Sequence, residues 1–443
     1  MEMDADNLCL NSLTLDPQEL KLRIHLVTWN VGTAPPPKDV NSLLLLDTSC
    51  LEIDMYIVGL QELNAKVVNF LSDLAFDDPW SLFLMDILAP LGYVKLSSIR
   101  MQGLLLLVFV KHKHIPFIQD IRTNYMRTGL YGYWGNKGGV TLRMSVYGHM
   151  MCFMNCHLPA HMENTNQRLD DFERMLEAQQ FDGESVGSIL DHDLVFWFGD
   201  LNFRITDFGI HFIREVINGN RYNLLWDKDQ LNIAKKKEKF LQGFLEGPLK
   251  FKPTYKFDLN SDVYDTSGKK RKPAWTDRIL WKLKNASDDE SSETIGSEYD
   301  QVLKVHLEKY TSHMSYGISD HKPVTGTFTV QMKPLLASAP VSLRAEGEWH
   351  ADHDALISYS VAKDFPSSTW DWIGLYRVYV GADEIPLDGG EFLLCYFCHN
   401  LQCLAGVSEP FQIQPGRTLE AKEGVQKISD GSSITDNFMG DGF

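Results

Sequence analysis

Six places along this chain put an oxygen- or nitrogen-bearing side chain at the end of an apolar run. Asn30 follows Leu26-Val27-Thr28-Trp29, and Glu62 follows Ile57-Val58-Gly59-Leu60-Gln61. Asn155 and His157 close the run Met151–Met154, and Asp200 and Asn202 follow Phe196-Trp197-Phe198-Gly199. Asp277 interrupts Trp275–Trp281, and Asp320-His321 stands just before Lys322-Pro323-Val324. A polar group at the end of a buried strand loses hydration, which a partner or a function must offset. Taken singly, each Asn or Asp reads as turn chemistry. Together, their carboxylates, carboxamides and two imidazoles read as one dispersed site. Such oxygens suit a hard cation like Mg2+, whereas zinc favours more histidine and thiolate. An Asp that orients or deprotonates water, beside a cationic His for phosphoryl oxygens, equips such a site for phosphoryl transfer to water.

The elements that must position these residues are legible from periodicity. Arg23–Asn30, Ile53–Leu60, Leu104–Val110, Val140–Val146 and Met151–Cys156 read as strands, the second apolar on both faces and so covered on both sides. Leu194–Phe198, Trp275–Trp281, Val302–Leu307 and Val324–Val330 extend the series. Leu169, Phe172, Met175 and Leu176 recur at helical spacing within 166–180, and Phe208–Val216 and Leu231–Leu245 also read as helices. No internal repeat is visible. The alternation predicts one large α/β domain over residues 20–331. It is preceded by an acidic tail, 1–19, and followed by a linker, 332–340, a small β-domain, 341–414, and a disordered tail, 415–443. Residues 285–300, rich in Ser, Asp and Glu, predict a mobile loop.

Charge and cysteine usage narrow the function classes. A formal net charge of −17 opposes non-specific nucleic-acid binding, which depends on neutralising phosphates. Lys235, Lys236, Lys237 and Lys239 read as a solvated helix face. Lys269, Lys270, Arg271 and Lys272 stand just before the Asp277 segment, so a phosphate-binding role is weighed there. Seven cysteines are an odd number, which argues against a complete disulfide framework and fits a reducing compartment. Cys395 and Cys398, with His399 and Cys403, suggest either zinc or a strand of buried thiols; no second ligand pair at zinc-finger spacing supports zinc. The run Leu104–Val110 is far short of the ~20 residues of a spanning helix, and Met1–Gln18 lacks a signal-peptide pattern. Membrane contact is therefore expected to be peripheral.

Several segments carry a resemblance. Trp29-Asn30-Val31, Gly59–Glu62, Gly132–Gly139, Asn155–His161, Phe198–Arg204, Pro273–Arg278 and Ser319–Pro323, in that order, resemble the motif series of the inositol polyphosphate 5-phosphatases of the endonuclease/exonuclease/phosphatase superfamily. The resemblance implies a four-layer α/β sandwich, two packed β-sheets flanked by helices. It implies Mg2+ as cofactor, held by Glu62 with Asn30 beside it. Asp200 then activates water, Asn202 orients water or phosphate, and His157 stabilises phosphoryl oxygens. Asp277 keeps His321 protonated, and Asp320 helps hold metal or water. Lys137, Tyr255, Lys256, Lys270, Lys272 and Arg278 become the substrate-binding set, several of them for the 4-phosphate of the ring. The implied partners are phosphoinositide lipids at membrane surfaces. Asp371–Tyr376 and Glu391–Tyr396 resemble the SKICH domain, an immunoglobulin-like β-domain. It implies protein partners and a cytoplasmic, peripheral location at the endoplasmic reticulum with recruitment to plasma membrane or ruffles. The connection Arg377–Gly390 is short for that domain and predicts an incomplete sandwich with exposed edges. Two other readings stay open: a nuclease of the same superfamily, and a phosphoinositide-binding adaptor without turnover.

Overall fold

The computed structural model describes residues 19–47, 52–64, 78–129, 134–179, 181, 187–284, 303–336, 338–351, 353–363, 365–377, 390–401 and 403–415. Among the described residues the large domain holds twelve strands: β1 (Leu20–Asn30), β2 (Met55–Gln61), β3 (Tyr93–Met101), β4 (Leu104–Lys111), β5 (Ile118–Gly129), β6 (Trp134–Val146), β7 (His149–His157), β8 (Leu194–Asp200), β9 (Leu245–Glu246), β10 (Asp277–Leu283), β11 (Leu303–Ser312) and β12 (Val324–Met332). They form two six-stranded sheets, ordered β11-β12-β1-β2-β4-β3 and β5-β6-β7-β8-β10-β9.

Both sheets follow one pairing pattern. A single parallel pair, β1–β2 in one and β7–β8 in the other, is flanked by antiparallel neighbours. This repetition is in the pairing and has no counterpart that the residue types reveal. Apolar residues on both faces of the central strands explain the layering. On β8, Phe196 and Phe198 enter the core between the sheets, while Val195 and Trp197 face outward. On β2, Met55 and Ile57 point inward, and Tyr56, Val58 and Leu60 point outward. The outward set on β8 is covered by the helix Thr165–Ala178 through Phe172 and Met175. That on β2 is covered by the helix Pro79–Leu88 through Trp80, Leu84 and Leu88. The four-layer sandwich follows from strands that alternate between two apolar environments.

Several expected boundaries shift. β10 begins at Asp277 rather than at Trp275, so Asp277 opens the strand instead of interrupting it. The helix expected over Leu231–Leu245 is Gln230–Lys237, followed by a single 3-10 turn and then β9. Strands β3 and β5 escape a pattern search because exposed polar residues punctuate them. The linker is tied down: the backbone N–H of Leu335 donates to the Tyr147 carbonyl at 2.9 Å, and the His149 ring donates to the Lys333 carbonyl at 2.8 Å. The expected tails and the loop 285–300 fall outside the described residues.

Beyond the linker the chain is all strand: β13 (Val341–Glu346), β14 (Trp349–His350), β15 (Leu356–Val361), β16 (Trp372–Arg377), β17 (Gly390–Cys398), β18 (Cys403–Val407) and β19 (Phe411–Gln414). β13 pairs with β15, and β14-β19-β17-β16 form a sheet with β18 added to β17. Val341, Trp349, Leu394, Tyr396 and Ile413 form its separate core, while Leu404 and Val407 pack on the large domain. Cys395 and Cys398 both lie buried on β17. The expected loss of a strand pair concerns residues 378–389, outside the described residues.

A pH dependence follows from two buried histidines. His25, on β1, bonds Thr327 Oγ1 and the Leu43 carbonyl, both at 2.9 Å. Burial pushes its pKa, and that of His313, down to about 4. The native state therefore prefers the neutral rings. Their contribution to stability is complete above the ordinary value near 6.5 and is lost as pH falls through about 4. Thermal unfolding midpoints should fall steeply between pH 6.5 and 4, and His25→Asn should flatten that fall.

Candidate active site

The site forms where the C-terminal ends of both parallel pairs meet the N-terminal ends of their antiparallel neighbours. Registers Asn30↔Gln61 and His157↔Asp200 end the parallel pairs, and Asp277↔Asp200 opens β10. The two sheets must approach closely there. A Cβ on Gly59 would lie 2.5 Å from the Phe198 ring and 2.8 Å from Asn155 Cγ. Gly199 has φ +138°, and a Cβ there would sit 2.0 Å from the Cys156 carbonyl oxygen. Only glycine permits the turn that delivers Asp200. Asn155 bolts the sheets together: its Nδ2 donates to the carbonyls of Leu60 and Leu105, and its Oδ1 accepts from Gln61 Nε2 at 2.6 Å.

Asp200, 1% exposed, is the hub. Oδ2 accepts from Asn30 Nδ2 at 3.0 Å across the sheets and lies 3.2 Å from His157 Nε2 and 4.0 Å from His321 Nε2. Oδ1 accepts from the Asn202 backbone N–H at 3.2 Å. Burial would raise its pKa, but His321 and then His157 overcome that and hold it far below the usual carboxylate range. Glu62, in the left-handed region at φ +56°, sets its half-exposed carboxylate 3.7 Å from His157 Nε2. A non-glycine residue held there is costly and marks a position the surroundings enforce.

The two imidazoles titrate in opposite senses. His321 Nδ1 donates to Asp277 Oδ2 at 2.9 Å, and Thr254 and Thr276 hydroxyls also donate to that oxygen, at 2.6 and 2.9 Å. Burial alone would lower the His321 pKa, but Asp277 and then Asp200 raise it to about 9. His157 is pushed down, first by burial and then by Lys137. Lys137 Nζ is hydrogen-bonded to His157 Nε2. A neutral ring can accept there from Lys137 or donate to Asp200, but not both at once.

The structure brings Asn30, Glu62, His157, Asp200, Asp277 and His321 together. The other expected residues take different places. Asn202 has both ends of its carboxamide engaged: Nδ2 donates to the Leu158 carbonyl at 3.0 Å, and Oδ1 accepts from Arg204. It holds Asp200 in place rather than facing water. Asp320 Oδ2 pairs with Lys256 Nζ at 2.5 Å, and its charge also helps to raise the His321 pKa. Lys137 lies on β6 within the cluster, not in the basic cleft. That cleft, about 250 Å³, is lined by His161, Arg204, Tyr255 and the run Lys269–Lys272, Lys270 and Lys272 included. Tyr255 lies between the His321 ring, at 4.8 Å, and the Arg204 guanidinium, 4.2 Å from its centroid. Arg278 is a correction. Fully buried, it donates to both Asp229 oxygens at 3.0 Å and to Glu246 at 2.6 and 2.8 Å, leaving nothing for a substrate. The resemblance implied a substrate role for it, but strand alternation sends its side chain to the face opposite that of Asp277. Arg204, Thr254 and Thr276 were missed. Each lies inside or beside a quoted motif, yet only the folded contacts reveal its task.

Among the described residues, Asp200, Asp277 and His321 each bring a ligand atom within 4.8 Å of the others. Asp277 is nevertheless spent on His321 and two threonines. The oxygens of Glu62 and Asn30, beside anionic Asp200, are the donor set that fits a hard cation.

Known proteins resemble this chain in sequence and in fold. Residues 27–327 match the model of endonuclease/exonuclease/phosphatase family 2, and residues 341–382 match the SKICH domain. The chain is 49% identical to inositol polyphosphate 5-phosphatase K of Mus musculus, over 90% of this chain and 91% of that protein. It is 48% identical to phosphatidylinositol 4,5-bisphosphate 5-phosphatase A of Mus musculus, over 88% of this chain but only 42% of that longer protein. Among solved structures, the 5-phosphatase domain of SPsynaptojanin, in complex with inositol (1,4)-bisphosphate and calcium ion, is 28% identical. It superposes with a TM-score of 0.60, over 71% of this chain and 85% of that one.

Two substitutions test the assignments. Asp277→Asn removes the carboxylate that keeps His321 charged, so the alkaline limb of the activity profile should move from near pH 9 toward neutrality, and the His321 ring resonance should titrate with it. Arg278→Met should cost about 3–5 kcal/mol of stability by stranding Asp229 and Glu246, measured by denaturant unfolding; a change confined to KM would instead restore its substrate role.

Proposed function

This chain belongs to the endonuclease/exonuclease/phosphatase family, in its inositol polyphosphate 5-phosphatase branch, and on that premise we propose that it hydrolyses the 5-phosphate of phosphatidylinositol 4,5-bisphosphate and phosphatidylinositol 3,4,5-trisphosphate with Mg2+. Soluble inositol polyphosphates fit the same cleft. The observation that carries this reading is the pairing of an ionised, buried Asp200 with a protonated His321 beside a cleft lined by five Lys and Arg residues.

Glu62 and Asn30 would hold Mg2+, which when bound supplies positive charge to offset the negative charge on the phosphoryl oxygens. Asp200, held in place by hydrogen bonds from Asn30 Nδ2 and the Asn202 backbone N–H, takes the proton of an attacking water. Protonated His321 faces the phosphoryl oxygens, its charge secured from behind by Asp277, and His157 offers a second ring nitrogen at the same point. No side-chain nucleophile is needed: Cys156 is fully buried and its thiol pKa lies well above the ordinary value. The cleft takes the neighbouring 4-phosphate. Charge-assisted contacts from Lys269–Lys272 with Tyr255 and Lys256 grip the phosphate that does not react and so place the one that does.

Access to a lipid substrate is peripheral in this reading. Among the described residues no helix is long and apolar enough to cross a membrane. The SKICH module would bring protein partners and recruit the chain from a cytoplasmic pool at the endoplasmic reticulum to plasma membrane or ruffles.

Purified protein should release phosphate from the 4,5-bisphosphate lipid with Mg2+ and stop when the metal is chelated. Asp200→Ala should lower kcat by about 10²–10⁴-fold, and unaltered turnover would sink the assignment. Lys270→Ala should weaken the preference for rings bearing a 4-phosphate, read as the ratio of kcat/KM between substrates with and without it.

A further inference from the structure

Part of the lining of the basic cleft comes from two chain segments, Ala160–Met162 and Arg204-Ile205. Two side chains outside that lining tie the segments together. Gln230, 5% exposed, opens the helix Gln230–Lys237. Its Oε1 accepts from Arg168 Nη2 at 2.6 Å and from the Arg204 backbone N–H at 2.9 Å, while its Nε2 donates to the Met162 carbonyl at 3.0 Å. The Gln230 backbone N–H adds a bond to the Arg204 carbonyl at 2.9 Å. Arg168, fully buried in the helix Thr165–Ala178, works beside it. Its Nη1 donates to the carbonyls of Pro159 and His161 at 2.9 and 2.6 Å, and its Nη2 also reaches Thr165 Oγ1 at 3.3 Å. The guanidinium lies 5.2 Å from the Phe203 ring centroid. Among the described residues, neutral oxygens alone meet this buried charge. Such a cation is costly to keep, and its rigid fork reaches what a single-point donor cannot.

What the pair holds is not at rest by itself. His161 has φ +76° and ψ 150°, a conformation costly for any residue with a side chain, which persists only where the surroundings enforce it. The bond from Arg168 to the His161 carbonyl is one such restraint. Arg204, fixed at its backbone by Gln230, turns its guanidinium over the Tyr255 ring and donates through Nε to the Asn202 carbonyl at 3.1 Å. The spacing of His161 and Arg204 within the cleft therefore depends on Arg168 and Gln230. Asp200 is secured separately. It has Asn30 and the Asn202 backbone, and Asn202 has its own bonds to the carbonyls of Leu158 and Thr276. A disturbance at Gln230 should thus fall on the grip of the cleft and spare the reacting centre.

We propose that Arg168 and Gln230 are positioning residues for specificity: touching no substrate themselves, they lock Ala160–Met162 to Arg204 and so fix the cleft that grips the phosphate that does not react. This rests on the reading that the cleft takes a 4-phosphate. The test compares the full chain with Gln230→Met, which removes all three side-chain bonds, and with Gln230→Glu, which keeps both acceptor contacts and removes only the donor to Met162. Each is assayed on soluble dioctanoyl phosphatidylinositol 4,5-bisphosphate and on the dioctanoyl 5-phosphate, with thermal unfolding alongside. Gln230→Met should raise KM on the bisphosphate by about tenfold with kcat held, and leave the 5-phosphate kinetics within about twofold of the parent. Arg168→Met should shift the preference alike, and the double variant no further than the larger single one, because the two act as one unit. An equal loss on both substrates, additive losses in the double variant, or a lower unfolding temperature with unchanged preference would overturn the proposal. If Gln230→Met does not fold, Gln230→Glu decides by the same preference; if neither folds, Gln230 serves folding and the proposal fails. If the parent turns over neither lipid, the functional reading fails, and binding of inositol 1,4-bisphosphate decides the cleft alone. A raised Kd in the variant then supports the proposal, and an unchanged Kd removes it.

Discussion

A carboxylate ionised almost wholly out of water sets the terms for the rest of this molecule. Asp200 keeps its charge only because Asn30, the Asn202 backbone, His157 and His321 surround it. One of those partners, Asn30, comes from the opposite sheet. The cross-sheet bond therefore requires the two sheets to close to a distance that Gly59 permits and that Asn155 and Gln61 secure. An unpaired charge at that depth would cost several kcal/mol, so the hydrophobic sandwich and the polar site cannot be assembled independently.

The same constraint divides labour between two histidines a few ångströms apart. His321 has a carboxylate behind it and another in front, and stays charged through neutral pH. His157 has an ammonium against its ring nitrogen and becomes the weaker base. Identical side chains acquire different chemistry because burial amplifies whichever neighbour is nearest. Thr254 and Thr276 sharpen the contrast by holding Asp277 on its histidine.

Positive charge is placed just as selectively. The chain is acidic as a whole, yet Lys269–Lys272 and Arg204 share one cleft. Arg278, a few residues on, is consumed by Asp229, which also caps the helix Gln230–Lys237 through the Asn232 N–H, and by Glu246 on β9. It is a structural cation, and its proximity in sequence to the site is no guide to its direction.

Residue types alone determined the chemistry class and most of the architecture. Apolar runs such as Phe196–Phe198 and Ile57–Leu60 announce strands covered on both faces, and the polar residues that end them announce an oxygen-rich site, because both signals are local. Strands β3 and β5 stayed hidden because their exposed faces dilute the pattern. What tertiary structure alone decided is which polar groups meet. Asn202 turned inward to Leu158 and Arg204, Asp320 turned to Lys256, and Lys137 turned to His157. Each of these side chains has several partners within reach of its motif. The choice among them depends on sheet register and inter-sheet approach, which are set by packing across the whole core and are written in no single segment.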